Sequence, residues 1–202
     1  KPRILPKSIA TLTVALSLFH SARFVTSVAE LTAIAPPSLP EIAFAGRSNA
    51  GKSTVINVLT QQKRLAFASK TPGRTQLLNF FSLSEKSEHG DRVERGILVD
   101  LPGYGYAKAD AGQRATWDLL VGSYVRERQS LIGIVLVMDA RRPFMAGDDA
   151  LLRFVDGRGC LLHLLLNKSD QLGTMEKRAA LATAQRRAEA IGPRASAQLF
   201  SG

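Results

Sequence analysis

The octapeptide Gly46-Arg47-Ser48-Asn49-Ala50-Gly51-Lys52-Ser53, directly behind the apolar run Ile42-Ala43-Phe44-Ala45, constrains this chain more than any other stretch. Its glycines, lysine and serine have the G-x-x-x-x-G-K-[ST] spacing of a phosphate-binding loop. Such a loop needs a strand to deliver it and a helix to leave it. A polyphosphate needs many donors converging on a small volume, and the glycines let the backbone bend so that successive N–H groups point inward. Lys52 adds a full positive charge near the outer phosphates, and Ser53 offers a hydroxyl to Mg²⁺. From Lys52 onward the residues K-S-T-V-I-N-V-L-T start a helix whose positive end faces the anion.

The base is addressed further along, where L-L-H-L-L-L-N-K-S-D runs from Leu161 to Asp170. An apolar stretch of strand length delivers N-K-x-D at its C-terminal end, where open α/β sheets place ligands. The Asp170 carboxylate only accepts, which suits guanine, whose N1–H and 2-amino group are adjacent donors; adenine presents an acceptor there. Asn167 can bridge the base to the phosphate loop, and the Lys168 stem can cover the ring face. Four such letters alone would be a polar turn after a buried strand; behind a phosphate loop, in this order, they favour GTP over ATP.

Between the two lies Gly96-Ile97-Leu98-Val99, followed by Asp100-Leu101-Pro102-Gly103. This is a buried strand ending in D-x-x-G, in which Asp100 can hold the water shell of Mg²⁺ and the Gly103 N–H can sense a γ-phosphate. Loss of that phosphate would release the loop. Thr71-Pro72-Gly73-Arg74-Thr75-Gln76 precedes the apolar run that begins at Leu77, and Thr75 is the candidate for a second Mg²⁺-binding hydroxyl.

With these pieces in view the chain resembles the EngB/YihA family of bacterial GTPases, a branch of the translation-factor-related P-loop GTPases. The stretches that carry the resemblance are E-I-A-F-A-G-R-S-N-A-G-K-S-T (41–54), S-K-T-P-G-R-T-Q (69–76), V-D-L-P-G-Y-G-Y-A (99–107), R-Q-S-L-I-G-I-V-L-V-M-D-A-R-R-P (128–143) and N-K-S-D (167–170). The resemblance implies a Ras-like α/β fold, a three-layer sandwich with a mostly parallel sheet and one antiparallel edge strand. It implies Ser53 and Thr75 as Mg²⁺ ligands. GTP or GDP would be held by Gly46 to Ser53, by Gly73, Arg74, Thr75, Gln76 and Leu77, by Asp100, Leu101, Pro102 and Gly103, and by Asn167, Lys168, Ser169 and Asp170. Lys52, Thr75 and Gly103 would serve the chemistry. Phe200, Ser201 and Gly202 correspond to the family's guanine loop, where F-S-A or F-S-S is usual, so Gly202 departs from the pattern; family members then continue into a final helix packed on the sheet. The implied role is assembly of the large ribosomal subunit, with a link to cell division and septation.

At 202 residues and 45% hydrophobic, the chain suits one single-core domain. Strand-like runs at 41–45, 77–83, 96–100, 132–139, 161–166 and 197–200 alternate with helical stretches after Lys52 and at 111–128, 147–155 and 175–191. Thr174 is placed to cap the last helix, Gly192-Pro193 to stop it, and the charged segment 84–95 reads as a hairpin loop. Residues 41–202 are expected to form the GTPase domain, with 1–40 as an N-terminal extension packing on it. Lys1 to Lys7 and the apolar run 9–19 also have the layout of a signal peptide, but spanning a bilayer needs roughly 20 residues, and GTP is an intracellular nucleotide. Pro36-Pro37 reads as a stiff connection into the first strand.

The single Cys160 rules out an internal disulfide, as expected in a reducing cytoplasm. The three histidines are scattered and no Cys/His cluster points to zinc. Trp117 reads as core. Of Arg141 and Arg142, one is expected to pair with a carboxylate such as Asp139; either could instead position phosphates or RNA. A formal net charge of +10 calls for a polyanionic partner. Ribosomal RNA in a large-subunit precursor fits, because lysine and arginine release counterions from phosphates. The charge is spread, with four basic and one acidic residue in 1–40 and five basic and two acidic in 175–194. This implies a broad footprint without DNA sequence recognition; a solvated surface or an anionic membrane surface is the alternative. No lipidation motif is read, so stable membrane anchoring is not expected, and a monomer is.

The leading expectation is a GTPase acting as a timer in subunit assembly; the alternative is a GTP-dependent switch or scaffold in division or at the membrane with incidental hydrolysis. After D-L-P-G, where many regulatory GTPases place a glutamine that orients the attacking water, this chain has Tyr104, so intrinsic hydrolysis is expected to be slow. Asn49 either braces its loop or, as in several related GTPases, helps hold K⁺ beside the β/γ-phosphates.

Overall fold

The computed structural model describes residues 17–35, 38–67, 77–105 and 111–202. Along the chain run β1 (Arg23–Val28), β2 (Glu41–Gly46), α1 (Lys52–Thr60), β3 (Leu78–Lys86), β4 (Arg92–Asp100), α2 (Ala111–Glu127), β5 (Leu131–Asp139), α3 (Ala146–Val155), β6 (Leu161–Asn167), α4 (Thr174–Ile191) and β7 (Ala195–Leu199). The strands form one seven-stranded sheet in the order β1-β3-β4-β2-β5-β6-β7. β4, β2, β5, β6 and β7 are mutually parallel, and β3 runs antiparallel to both of its neighbours.

The apolar runs read as strands because β2, β5 and β6 are covered on both faces, where alternation is not required. Ala43 and Ala45 of β2 point into a core shared with α2 and α3, whereas Phe44 points into the opposite layer with Val55 and Ile56 of α1. Leu166 and Ala184 join α4 to β6 in a smaller cluster. The result is the α/β sandwich expected, and it brings the C-terminal ends of β2, β4, β5 and β6 together along one rim.

Three local expectations are corrected. The hairpin loop between β3 and β4 is only residues 87–91, because the largely charged stretches 84–86 and 92–95 continue the strand pairing; Arg95, for instance, meets Glu85 at 2.6 Å on the exposed face. Residues 23–28, within the expected N-terminal extension, form β1, whose five exposed positions carry too little apolar alternation to reveal a strand. With β1 outside it, the antiparallel strand β3 is second from the edge. The last helix starts one residue early, at Thr174, and its cap is Gly173, whose own N–H donates back to Glu176 Oε2 at 2.7 Å, the return half of a capping box. Pro36 and Pro37 lie outside the described residues.

Candidate functional site

Four loops meet on the rim. The phosphate loop is the tightest, and Gly51 shows why: its φ is +92°, and a Cβ there would stand 2.2 Å from Asn167 Nδ2. Any other residue would be strained and would displace the base-recognition loop. Asn167, buried at the end of β6, donates from Nδ2 to the Ala50 C=O at 2.9 Å and so joins the N-K-S-D loop to the phosphate loop. Its Oδ1 is buried without a hydrogen-bond partner among the described residues. Asn49 sits at φ 65°, a left-handed position that asparagine tolerates better than most residues, and its side chain is exposed.

Lys168 Nζ donates to the Asn49 C=O at 2.6 Å and to Asp139 Oδ2 at 3.2 Å, so its stem is laid across the mouth of the site. Asp139 is fixed by Arg141, which donates from Nε at 2.9 Å, from Nη2 at 2.5 Å and from its backbone N–H at 3.1 Å. Those bonds hold the Asp139 carboxyl well below the usual carboxylate range. Arg141 is therefore the structural partner expected. Asp170 is exposed and accepts from Ser201 Oγ at 2.9 Å, while the Ser169 N–H donates to the Phe200 C=O at 3.0 Å. Gly202 lies against the Phe200 ring and Thr54 of α1. The expected guanine loop thus stands beside the N-K-S-D residues.

On the phosphate side, Lys52 pairs with Asp100, buried at the end of β4. The D-x-x-G loop is pinned at every residue. The Leu101 N–H donates to the Phe44 C=O at 3.0 Å, and the Pro102 C=O accepts from Trp117 Nε1 at 2.8 Å. Gly103 packs on Ser48, whose N–H donates to the Tyr104 C=O at 2.7 Å. Gly73, Arg74, Thr75 and Gln76 lie outside the described residues, and Leu77 immediately precedes β3.

Sequence reasoning missed Asp148. The Tyr104 hydroxyl donates to Asp148 Oδ1 at 2.6 Å, and Asp148 Oδ2 accepts from the Met145 N–H at 2.8 Å at the start of α3. Both residues are buried. Burial first, then the Asp148 charge and its hydrogen bond, push the Tyr104 phenol far above its ordinary value; Arg47 acts in the opposite sense. Burial likewise raises the Asp148 carboxyl, against the hydrogen bonds from Tyr104 and Met145. In the sequence Asp148 falls inside the expected helix 147–155, and nothing local ties it to a tyrosine 44 residues away. Trp117 is core, as expected, but its hold on Pro102 was likewise not legible.

The chemistry of the rim is that of a polyphosphate site: a lysine and a ring of backbone donors on one side, an acceptor carboxylate for a base on the other. Ser53 and Asp100 are hard oxygen donors beside Lys52, a set that fits Mg²⁺, which keeps waters and phosphate oxygens for its remaining positions. Among the described residues no helix is long and apolar enough to cross a membrane.

Comparisons with known proteins agree with this geometry. The family described as 50S ribosome-binding GTPase matches residues 41–168. A protein of Aromatoleum aromaticum described as "probable GTP-binding protein EngB" is 49% identical over 91% of this chain and 81% of its own length. One of Burkholderia multivorans, described in the same words, is 47% identical over 91% of this chain and 84% of its own length. Among solved structures, a "probable GTP-binding protein engB" superposes with a TM-score of 0.54 at 21% identity, covering 79% of this chain and 88% of its own. A variant of Aquifex aeolicus Era bound to GDP·AlF4⁻ superposes at 0.58 with 18% identity, covering 80% of this chain and 51% of its own; these two show the fold.

Proposed function

The chain belongs to the EngB family of P-loop GTPases, and from that premise we propose that it is a slow GTPase whose nucleotide state controls its part in assembling the large ribosomal subunit, with a consequent link to cell division. The observation that carries the nucleotide reading is the Asn167–Ala50 hydrogen bond, which joins the base loop to the phosphate loop in one site. The ribosomal reading is supported by the description of the matching family and by the net charge of +10, which suits an RNA-rich particle.

In this reading the β- and γ-phosphates lie on the phosphate loop, Lys52 leaves Asp100 for them, and Gly103 N–H meets the γ-phosphate. Ser53 and Thr75 would hold Mg²⁺, with Asp100 on its water shell, and the ion would neutralise charge on the phosphate oxygens. Asp170 accepts from the guanine N1–H and 2-amino group, and Lys168 covers the ring. No described side chain takes the place of a water-orienting glutamine: Tyr104 follows D-x-x-G, but its hydroxyl is committed to Asp148 inside the core. Slow intrinsic turnover follows.

Sedimentation of cell extract with GTP, a non-hydrolysable analogue or GDP tests the reading. Migration with large-subunit particles in the triphosphate form only is expected; absence from every ribosomal fraction sinks the ribosomal role and favours a switch or scaffold in division. Hydrolysis in potassium against sodium chloride addresses Asn49. Because Asn49 is left-handed, Asn49→Gly removes the amide without straining the loop. Potassium-specific stimulation lost in this variant assigns the cation to Asn49, whereas equal rates in both salts leave it a backbone residue.

A further inference from the structure

Besides the Trp117–Pro102 hydrogen bond, the D-x-x-G loop has a further attachment away from the nucleotide. Tyr104 turns its ring from the phosphate loop into the gap between α2 and α3, where it meets the Trp117 ring edge-on at a centroid distance of 5.1 Å. Its hydroxyl reaches Asp148, and the space it fills exists because residue 147 is glycine: a Cβ there would stand 2.7 Å from the Tyr104 ring. Its main chain faces the other way, the C=O accepting from Ser48. One residue thus joins α3 to the phosphate loop, and Gly103 is its immediate neighbour.

We propose that Asp148 is a positioning residue of the GTPase site: acting through Tyr104, it holds the loop so that the Gly103 N–H is already placed when a γ-phosphate arrives. The proposal rests on the GTPase reading above. With this anchor gone, more of the loop would have to be ordered at the moment of binding, and that entropy would be taken from the affinity for the triphosphate. GDP, which has no group for Gly103 to meet, would not feel the difference. The buried pair is suited to the task because Asp148 is itself held by the α3 cap at Met145, so the carboxylate offers Tyr104 a fixed acceptor.

The readout is the ratio of dissociation constants for GDP and a non-hydrolysable GTP analogue, measured by titration calorimetry on the whole chain. Tyr104→Phe, which removes one hydroxyl and no packing, is expected to weaken the analogue about tenfold, the size of one hydrogen bond to a charged group, with GDP within about twofold. Asp148→Ala should do the same. Asp148→Asn, which can still bond the phenol, should keep most of the parental ratio. If Asp148→Ala does not fold, Gly147→Ala, whose methyl group displaces the ring, replaces it. Equal weakening of both nucleotides would reduce Asp148 to a structural residue and overturn the proposal, as would an unchanged ratio or a tighter analogue in Tyr104→Phe. Failure of the parent chain to bind either nucleotide would instead refute the GTPase reading itself.

Discussion

Two buried tyrosine–carboxylate pairs stand at opposite ends of the sheet, and their difference is instructive. At the foot, Tyr124 of α2 donates to Glu41 Oε2 at 2.7 Å, and Arg128 closes the charge by donating to Oε1 from Nε at 2.8 Å and Nη2 at 2.5 Å. Arg128 Nη1 also donates to the Ala35 C=O at 2.8 Å. At the rim, Tyr104 and Asp148 make a bond of 2.6 Å, but no cation pairs directly with Asp148 among the described residues; Arg47 acts on it only through its charge. The foot pair is neutralised and ties a helix to the first residue of a central strand, so it is built to stay closed. The rim pair keeps a costly buried carboxyl and ties a helix to a loop that must answer a ligand. Similar chemistry serves as a clamp where the charge is matched and as a tether where it is not.

Glu41→Ala is the largest break. Removing one partner of a buried ion pair leaves Arg128 uncompensated and typically costs about 3–5 kcal/mol. Urea unfolding should show that loss while the GDP-to-analogue ratio of the folded fraction stays parental. A large loss of nucleotide discrimination would mean that foot and rim are coupled, and the contrast would fail.

Asp170→Asn should give the opposite pattern. The amide presents a donor where guanine also has one, and losing a charged acceptor costs about 1.5–3 kcal/mol, a ten- to hundredfold weaker affinity for GTP with a gain for xanthosine triphosphate. Asp170 is exposed, so the unfolding midpoint should barely move. GTP binding as tight as in the parent would remove Asp170 from base recognition.

The smallest effect distinguishes a matched carboxyl from an unmatched one by pH. Burial raises the Asp148 carboxyl above its ordinary 3.8, so the stability tied to its protonated form is present in acid and lost as pH rises through the raised value. Asp148→Asn removes this titration, so the variant should gain on the parent in urea midpoints as pH rises above 3.8. Asp139, lowered chiefly by its hydrogen bonds from Arg141, has the reverse sign: its contribution is present above 3.8 and is lost as pH falls below it. Asp139→Asn should therefore lose ground on the parent as pH rises towards 3.8 and hold a constant gap above it. Parallel pH curves for both variants would show that the rim carboxylates do not differ in this way.

Motifs were legible where the chemistry is local. The strand-loop-helix around Gly46 to Ser53 and the strand ending at Asn167 announce themselves because backbone donors and their flanking elements are contiguous in the chain. Strand β1 was not legible, since five of its residues are exposed and its partner β3 begins 50 residues after β1 ends. The Glu41 clamp was equally hidden: a glutamate at the start of a strand reads as solvated until Tyr124 of α2 and Arg128, just past its end, arrive.

By itself, then, the sequence determined the fold class and the identity of the loops on the rim, because apolar runs and phosphate-loop spacing act over a few residues. Only the tertiary structure decided how those loops are held. Asn167 and Ala50 are 117 positions apart and Tyr104 and Asp148 44, and no local rule relates such positions. What relates them is the sheet, whose parallel register places the ends of β2, β4, β5 and β6 at one rim and leaves each polar side chain there to find the partner that burial demands.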